Sequence, residues 1–130
     1  MNRQELLIKL DPAAGQLLRE KGYISYPDLF ISLCCLDRRD YEAWRLRRVP
    51  YLEQVVKINL ARISFLMTNV RKNSLSGKLK PSWTAYMSWG KGPKLRLRFS
   101  RSGNAQIEQL WATHFVKPEK TPFRAENTDA

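Results

Sequence analysis

The hydrophobic period of this chain turns from helical to alternating after residue 77, and that change argues against both an all-helical and an all-β fold. Leu52, Val55, Val56, Leu60, Ile63, Met67 and Val70 recur at helical spacing, flanked by Ile58, Phe65 and Leu66. From Lys94 to Ser100 the period is two: Leu95, Leu97 and Phe99 alternate with Lys94, Arg96, Arg98 and Ser100, the pattern of a strand with one buried face. The first pattern, opened by Pro50 and ended at Asn73-Ser74-Leu75-Ser76-Gly77, predicts a long central helix over about 50–72. The second, joined to the aromatic segment Trp83–Trp89 through Gly90-Lys91-Gly92-Pro93, predicts a β-hairpin over 83–100 with Leu95, Leu97 and Phe99 buried and Arg96 and Arg98 exposed.

Local signals place the remaining elements. Asp11-Pro12 reads as an N-cap followed by a proline at the first helical position, and Gly22 as a stop, which predicts a helix over 12–21. Ser25-Tyr26-Pro27-Asp28 starts a second helix over about 26–35, and Asp37 caps a third over about 38–47, with Tyr41 and Trp44 on its apolar stripe. Asn104 caps a last helix over 105–115, on which Ile107, Leu110, Trp111 and His114 share one face. The expected fold is α+β, mainly helical: four or five helices with a C-terminal β-hairpin packed on the long central helix and on the last helix. Residues 1–116 are expected to form a single compact domain, and 117–130, which has no period, a flexible tail.

Charge is the feature that bears most on function. The 130 residues carry 23 Lys and Arg against 12 Asp and Glu, a net charge of +11. Between Glu53 and Glu108 there is no acid, while Lys57, Arg62, Arg71, Lys72, Lys78, Lys80, Lys91, Lys94, Arg96, Arg98 and Arg101 all fall inside. These account for the whole excess, so the rest of the chain is neutral. Clustered cations displace counterions from a phosphate backbone, and cations interleaved with aromatics such as Trp83, Tyr86 and Trp89 also stack unpaired bases. The expected contact residues are Trp89, Lys91, Lys94, Arg96, Arg98 and Arg101 on the hairpin. The helix pair 26–35 and 38–47 is helix-turn-helix-like, which adds Arg38 and Arg39 as DNA-binding candidates, although its turn lacks the customary glycine.

A membrane partner is not expected, because no apolar run approaches the ~18 residues a span requires. Met1–Leu10 carries Arg3, Glu5 and Lys9 and no small-residue cleavage site, so a cytoplasmic location is the expectation. A hydrophobic fraction of 43% supports a packed core. Catalysis, metal and cofactor are not expected: the adjacent Cys34 and Cys35 and the single His114 do not have metal-ligand spacing, and the cysteines lack a local base.

Arg48-Val49-Pro50-Tyr51-Leu52-Glu53, Pro81–Pro93 and Leu97-Arg98-Phe99-Ser100-Arg101-Ser102-Gly103 together resemble a family of small uncharacterised bacterial proteins with no assigned activity, over about Tyr23 to Val116. The resemblance implies a bacterial cytoplasmic origin and transfers no site residue. The residues themselves point to a non-enzymatic protein that binds DNA or RNA through its basic C-terminal half. The alternative is a protein-interaction module or accessory subunit whose basic face binds an acidic protein partner.

Overall fold

Helix formation begins earlier than Asp11-Pro12 suggests. In the computed structural model, which describes residues 2–118, α1 runs Arg3–Lys21 with Pro12 inside it. A capping box starts it: the Glu5 N–H donates to Asn2 Oδ1 at 2.9 Å and the Asn2 N–H donates to Glu5 Oε1 at 3.0 Å. Leu6 and Leu10 then bury in the core. Two buried leucines, worth about 1.5–3 kcal/mol each, offset the roughly 3 kcal/mol that an internal proline costs, so Pro12 does not set the start.

After β1 (Tyr23–Ser25), α2 (Tyr26–Ser32) begins as expected, with the Asp28 N–H donating to Ser25 Oγ at 3.2 Å. It stops short of 35 because Cys34 turns into the left-handed region at φ 62°. α3 (Arg38–Arg45) starts after Asp37 as expected, but the Asp37 carboxylate makes no capping bond and accepts from Lys57 Nζ at 2.9 Å instead; the helix ends two residues before the expected 47, and Arg47 follows at φ 66°.

The long helix predicted over 50–72 is two elements, a short 3-10 turn at Leu52–Val55 and α4 at Leu60–Ser76. Tertiary hydrogen bonds take the donors a continuous helix would have used. The Leu52 and Glu53 N–H groups donate to the Arg98 and Phe99 carbonyls, and the Lys57 N–H donates to the Cys35 carbonyl at 2.7 Å. Asn59 then restarts the helix by accepting from the Arg62 N–H. The apolar stripe therefore holds while the backbone beneath it breaks.

The hairpin is reduced. Its two arms run antiparallel, with Ser88 N–H to Leu95 O and Leu97 N–H to Tyr86 O both at 2.8 Å, but the ladder amounts to one bridge, Met87–Arg96. Gly90 and Gly92 sit at φ 98° and 92°, conformations that a side chain strains, so the turn falls where Gly-Lys-Gly placed it. Leu97 and Phe99 are buried and Arg96 and Arg98 exposed; Leu95, by contrast, is 44% exposed, since it lies beside the loop tip beyond the edge of the core.

The regular sheet lies elsewhere. β2 (Lys80–Trp83) and β1 flank a central β3 (Thr113–Val116), all antiparallel, in the order β1-β3-β2. The registers are Tyr23 to Val116 and Trp83 to Thr113. α5 (Ala105–Trp111) starts as expected, with Asn104 Oδ1 accepting from the Gln106 and Ile107 N–H groups. It ends before His114, which belongs to β3, because Thr113 and Phe115 bury on alternate positions of a strand. The core gathers Tyr26, Phe30, Trp44, Phe99, Trp111 and Phe115, with Phe99 stacked on Trp111 at 5.6 Å. The molecule is thus α+β and mainly helical. Of the expected tail, 119–130 lies outside the described residues, while the Lys117 N–H donates to the Gly22 carbonyl at 3.2 Å. Among the described residues no helix is long and apolar enough to cross a membrane.

Candidate nucleic-acid interface

The stretch 98–101 anchors the basic face, and its backbone is held by side chains and backbone of α3, the 3-10 turn and α5. The Arg98 carbonyl accepts from the Leu52 N–H and from Trp44 Nε1 at 2.8 Å. Glu108 accepts from the Phe99 N–H at 2.9 Å, and its other oxygen from the Ser100 N–H at 2.7 Å and the Ser100 hydroxyl. Glu53 accepts from the Arg101 N–H at 3.1 Å through one oxygen and from Trp111 Nε1 at 3.1 Å through the other. The two acids that bracket the acid-free interval are thereby turned onto backbone and indole donors. In the sequence they stand only as the boundaries of that interval. The position of Glu108 four residues after the Asn104 cap, and of Glu53 at the end of the Tyr51–Glu53 segment, carries no signal of this role.

The cations are arranged on aromatic faces. The Arg96 guanidinium lies 4.9 Å from the centroid of Trp83, and that of Arg98 lies 5.5 Å from Tyr51. Arg45 spans three rings, 4.8 Å from Tyr86, 5.0 Å from Trp89 and 5.8 Å from Tyr41. Trp83 and Trp89 are 48% and 44% exposed, so a ring face remains for a ligand to stack on. Arg96 and Arg98 share a surface hollow of about 370 Å³ with Arg47. Among the described residues the ion pairs are Lys21–Asp28 and Lys57–Asp37, neither of which neutralises this face.

Not every expected residue joins it. Lys94 Nζ donates back to the Gly90 carbonyl at 2.6 Å and so closes the loop that carries Lys91. Arg101 lines a separate groove with Leu60, Met67 and Leu110. Arg38 and Arg39 open α3, about 10 Å along the axis from Arg45, and do not line the hollow. What the sequence missed is the C-terminal end of α3: Arg45 and Arg47 were visible as basic residues of the third helix, but nothing local showed that this end meets the hairpin.

These features define a mainly helical α+β protein with a cation–aromatic face built from the α3 terminus and the 83–98 segment. No protein-family model, curated protein or solved structure matches the chain.

Behind the same segment, Tyr86 Oη and His114 Nε2 are 2.7 Å apart, and Tyr23 stacks on the imidazole at 4.8 Å. Burial holds the His114 pKa below its ordinary value of 6.5, against a weaker opposing pull from Asp28. The folded protein therefore binds fewer protons here than the unfolded chain once the pH falls past about 6.5, and stability declines as it falls. This is the chain's single histidine, so the interval is free of other imidazoles. Urea midpoints measured between about pH 7.5 and pH 5.5 are expected to drop in the parent protein and to stay flatter in His114→Asn. Parallel profiles would show that His114 titrates alike in both states.

Proposed function

We propose that this protein binds nucleic acid without catalysis, through Arg47, Arg96 and Arg98 as phosphate contacts and Trp83 and Trp89 as stacking platforms. One observation carries the reading: guanidinium groups lie on partly exposed aromatic rings with no carboxylate partner among the described residues, while the flanking acids Glu53 and Glu108 are spent on internal donors. A solvated basic surface has no reason to withdraw its acids. A face that must hold phosphates does, because a free carboxylate beside it would repel the backbone.

Salt dependence tests this. With roughly five phosphates neutralised on duplex DNA, log K is expected to fall against log salt with a slope of about −4.5. Arg96→Gln with Arg98→Gln is expected to lower that slope by about 2 and to weaken binding to all sequences alike, since phosphate contacts position without reading bases. The same change at Arg38 and Arg39 is expected to leave the slope nearly intact; a loss confined to one preferred sequence would instead make α3 a reader of bases. Absence of binding to DNA and RNA at ~50 mM salt would overturn the proposal and favour an acidic protein partner.

A further inference from the structure

Segment 83–89 has a second side. Its exposed rings face outward, whereas Thr84, Ala85 and Tyr86 form one wall of a polar pocket of about 180 Å³ that the remaining walls of Lys21, Asp28, Tyr41, Arg45 and His114 complete. These residues come from the end of α1, from α2, from α3 and from β3, so the pocket exists only in the assembled fold. Its chemistry is mostly that of a donor. Arg45 spends two N–H groups internally, Nη1 on the Met87 carbonyl at 2.7 Å and Nε on Tyr41 Oη at 3.1 Å. Its other guanidinium donors have no partner among the described residues. The Tyr41 oxygen accepts from Arg45, which leaves the phenol hydrogen to donate into the pocket. Burial raises the pKa of Tyr41 and of Tyr86, so both phenols stay protonated at neutral pH. Asp28, the acid present, is engaged by Lys21 Nζ at 3.0 Å and Ser25 Oγ at 2.8 Å, while Lys21 retains further N–H groups.

The geometry points to a phosphate monoester as the ligand of this pocket, namely the terminal phosphate of a nucleic acid, held by Arg45, Lys21 and Tyr41 while the terminal base stacks on Trp89. This deepens the nucleic-acid reading and rests on it. The volume suits one tetrahedral anion with a few waters, since liquid water occupies about 30 Å³ per molecule. An internal phosphodiester must leave past these walls in two directions and carries one negative charge, whereas a strand end needs a single exit and brings two charges to the donors. Arg45 joins the two halves of the site, because the guanidinium that lines the pocket also lies 5.0 Å from the Trp89 ring. Planar guanidinium and phosphate form paired charge-assisted hydrogen bonds, which a terminal dianion strengthens over a diester.

The test uses the full chain and one single-stranded oligonucleotide carrying a phosphate at its 5′ end, at its 3′ end, or at neither, with binding followed by fluorescence anisotropy. One phosphorylated end is expected to bind about tenfold tighter than the hydroxyl form, the effect of one or two added charge-assisted hydrogen bonds. Tyr41→Phe, which changes neither charge nor shape, is expected to abolish most of that preference and leave affinity for the hydroxyl form unchanged. Arg45→Lys, checked for folding by its thermal transition, is expected to lose the preference too, together with part of the affinity for the hydroxyl form, since Arg45 also lies against Trp89. Equal binding of all three oligonucleotides would overturn the pocket assignment while the wider nucleic-acid reading stands. No binding of any of them would overturn both. Competition by adenosine monophosphate as effective as that of the phosphorylated oligonucleotide would make a free mononucleotide the ligand and overturn the assignment to a strand end.

Discussion

Replacing Trp44 with alanine is expected to lower unfolding free energy by about 3–5 kcal/mol, the range for truncating a buried tryptophan. The side chain is fully buried and lies 5.0 Å from Phe99, 5.8 Å from Tyr41 and 5.9 Å from Tyr86, ring centre to ring centre. Its indole N–H also satisfies the Arg98 carbonyl, so alanine both opens a cavity and removes a donor to the stretch that carries the basic face. Trp44→Phe separates the two effects. It keeps most of the packing and is expected to cost only about 1–2 kcal/mol through the lost hydrogen bond and the smaller ring. Domains of this size hold about 5–15 kcal/mol in all, so the alanine variant should show a large fall in its urea midpoint, with the slope of the transition preserved. A loss below about 1 kcal/mol would mean that α3 is not anchored through Trp44.

Glu108→Ala is the second large effect, expected at about 2–4 kcal/mol, because it strands the Phe99 and Ser100 N–H groups and the Ser100 hydroxyl beside a serine that is only 1% exposed. Glu108→Gln keeps one acceptor oxygen and is expected to cost less. Hydrogen exchange gives a local readout: the Phe99 and Ser100 amides should exchange far faster in the alanine variant, while amides within α1 change little at temperatures where it remains folded. The binding readout separates geometry from charge. Removing an acid makes the protein more basic than +11, so charge alone strengthens attraction to a phosphate backbone. Loss of the clamp on 99–100 is expected to outweigh that and weaken oligonucleotide binding, since it frees the strand that aims Arg96 and Arg98. Stronger binding by Glu108→Ala would show that net charge, and not the arrangement of this face, governs affinity.

The elements that were legible share one property, which is that their deciding contacts lie within a few residues. Ser25 capping α2 and Asn104 capping α5 are bonds across two or three positions, as is the turn at Gly90 and Gly92. The outward Arg96 and Arg98 and inward Leu97 and Phe99 follow from the alternation of a strand-like backbone, which holds even where the hydrogen-bonded ladder is only one bridge. The failures share the opposite property. Pro12 looked like a helix start until Leu6 and Leu10 found a core to fill, and the stripe 52–70 looked like one helix until Arg98, Phe99 and Cys35 took its N–H groups. His114 fitted a helical face as well as a strand, and only pairing with Ser25 and Ser82 on either side of β3 chose between them.

By itself, then, the sequence determined the α+β class, the caps of α2 and α5, the hairpin turn and the concentration of positive charge between Glu53 and Glu108. Tertiary structure decided where that charge became a surface. It drew Arg45 and Arg47 from the far end of α3 toward the hairpin, engaged Glu53 and Glu108 with backbone and indole donors, and brought the polar pocket together from segments as distant as Lys21 and His114. The physical reason is the range of the interactions. A cap or an alternation is satisfied by neighbours along the chain, whereas a carboxylate or a guanidinium accepts many partners of equal chemistry, and only the packed core selects which one stands within reach.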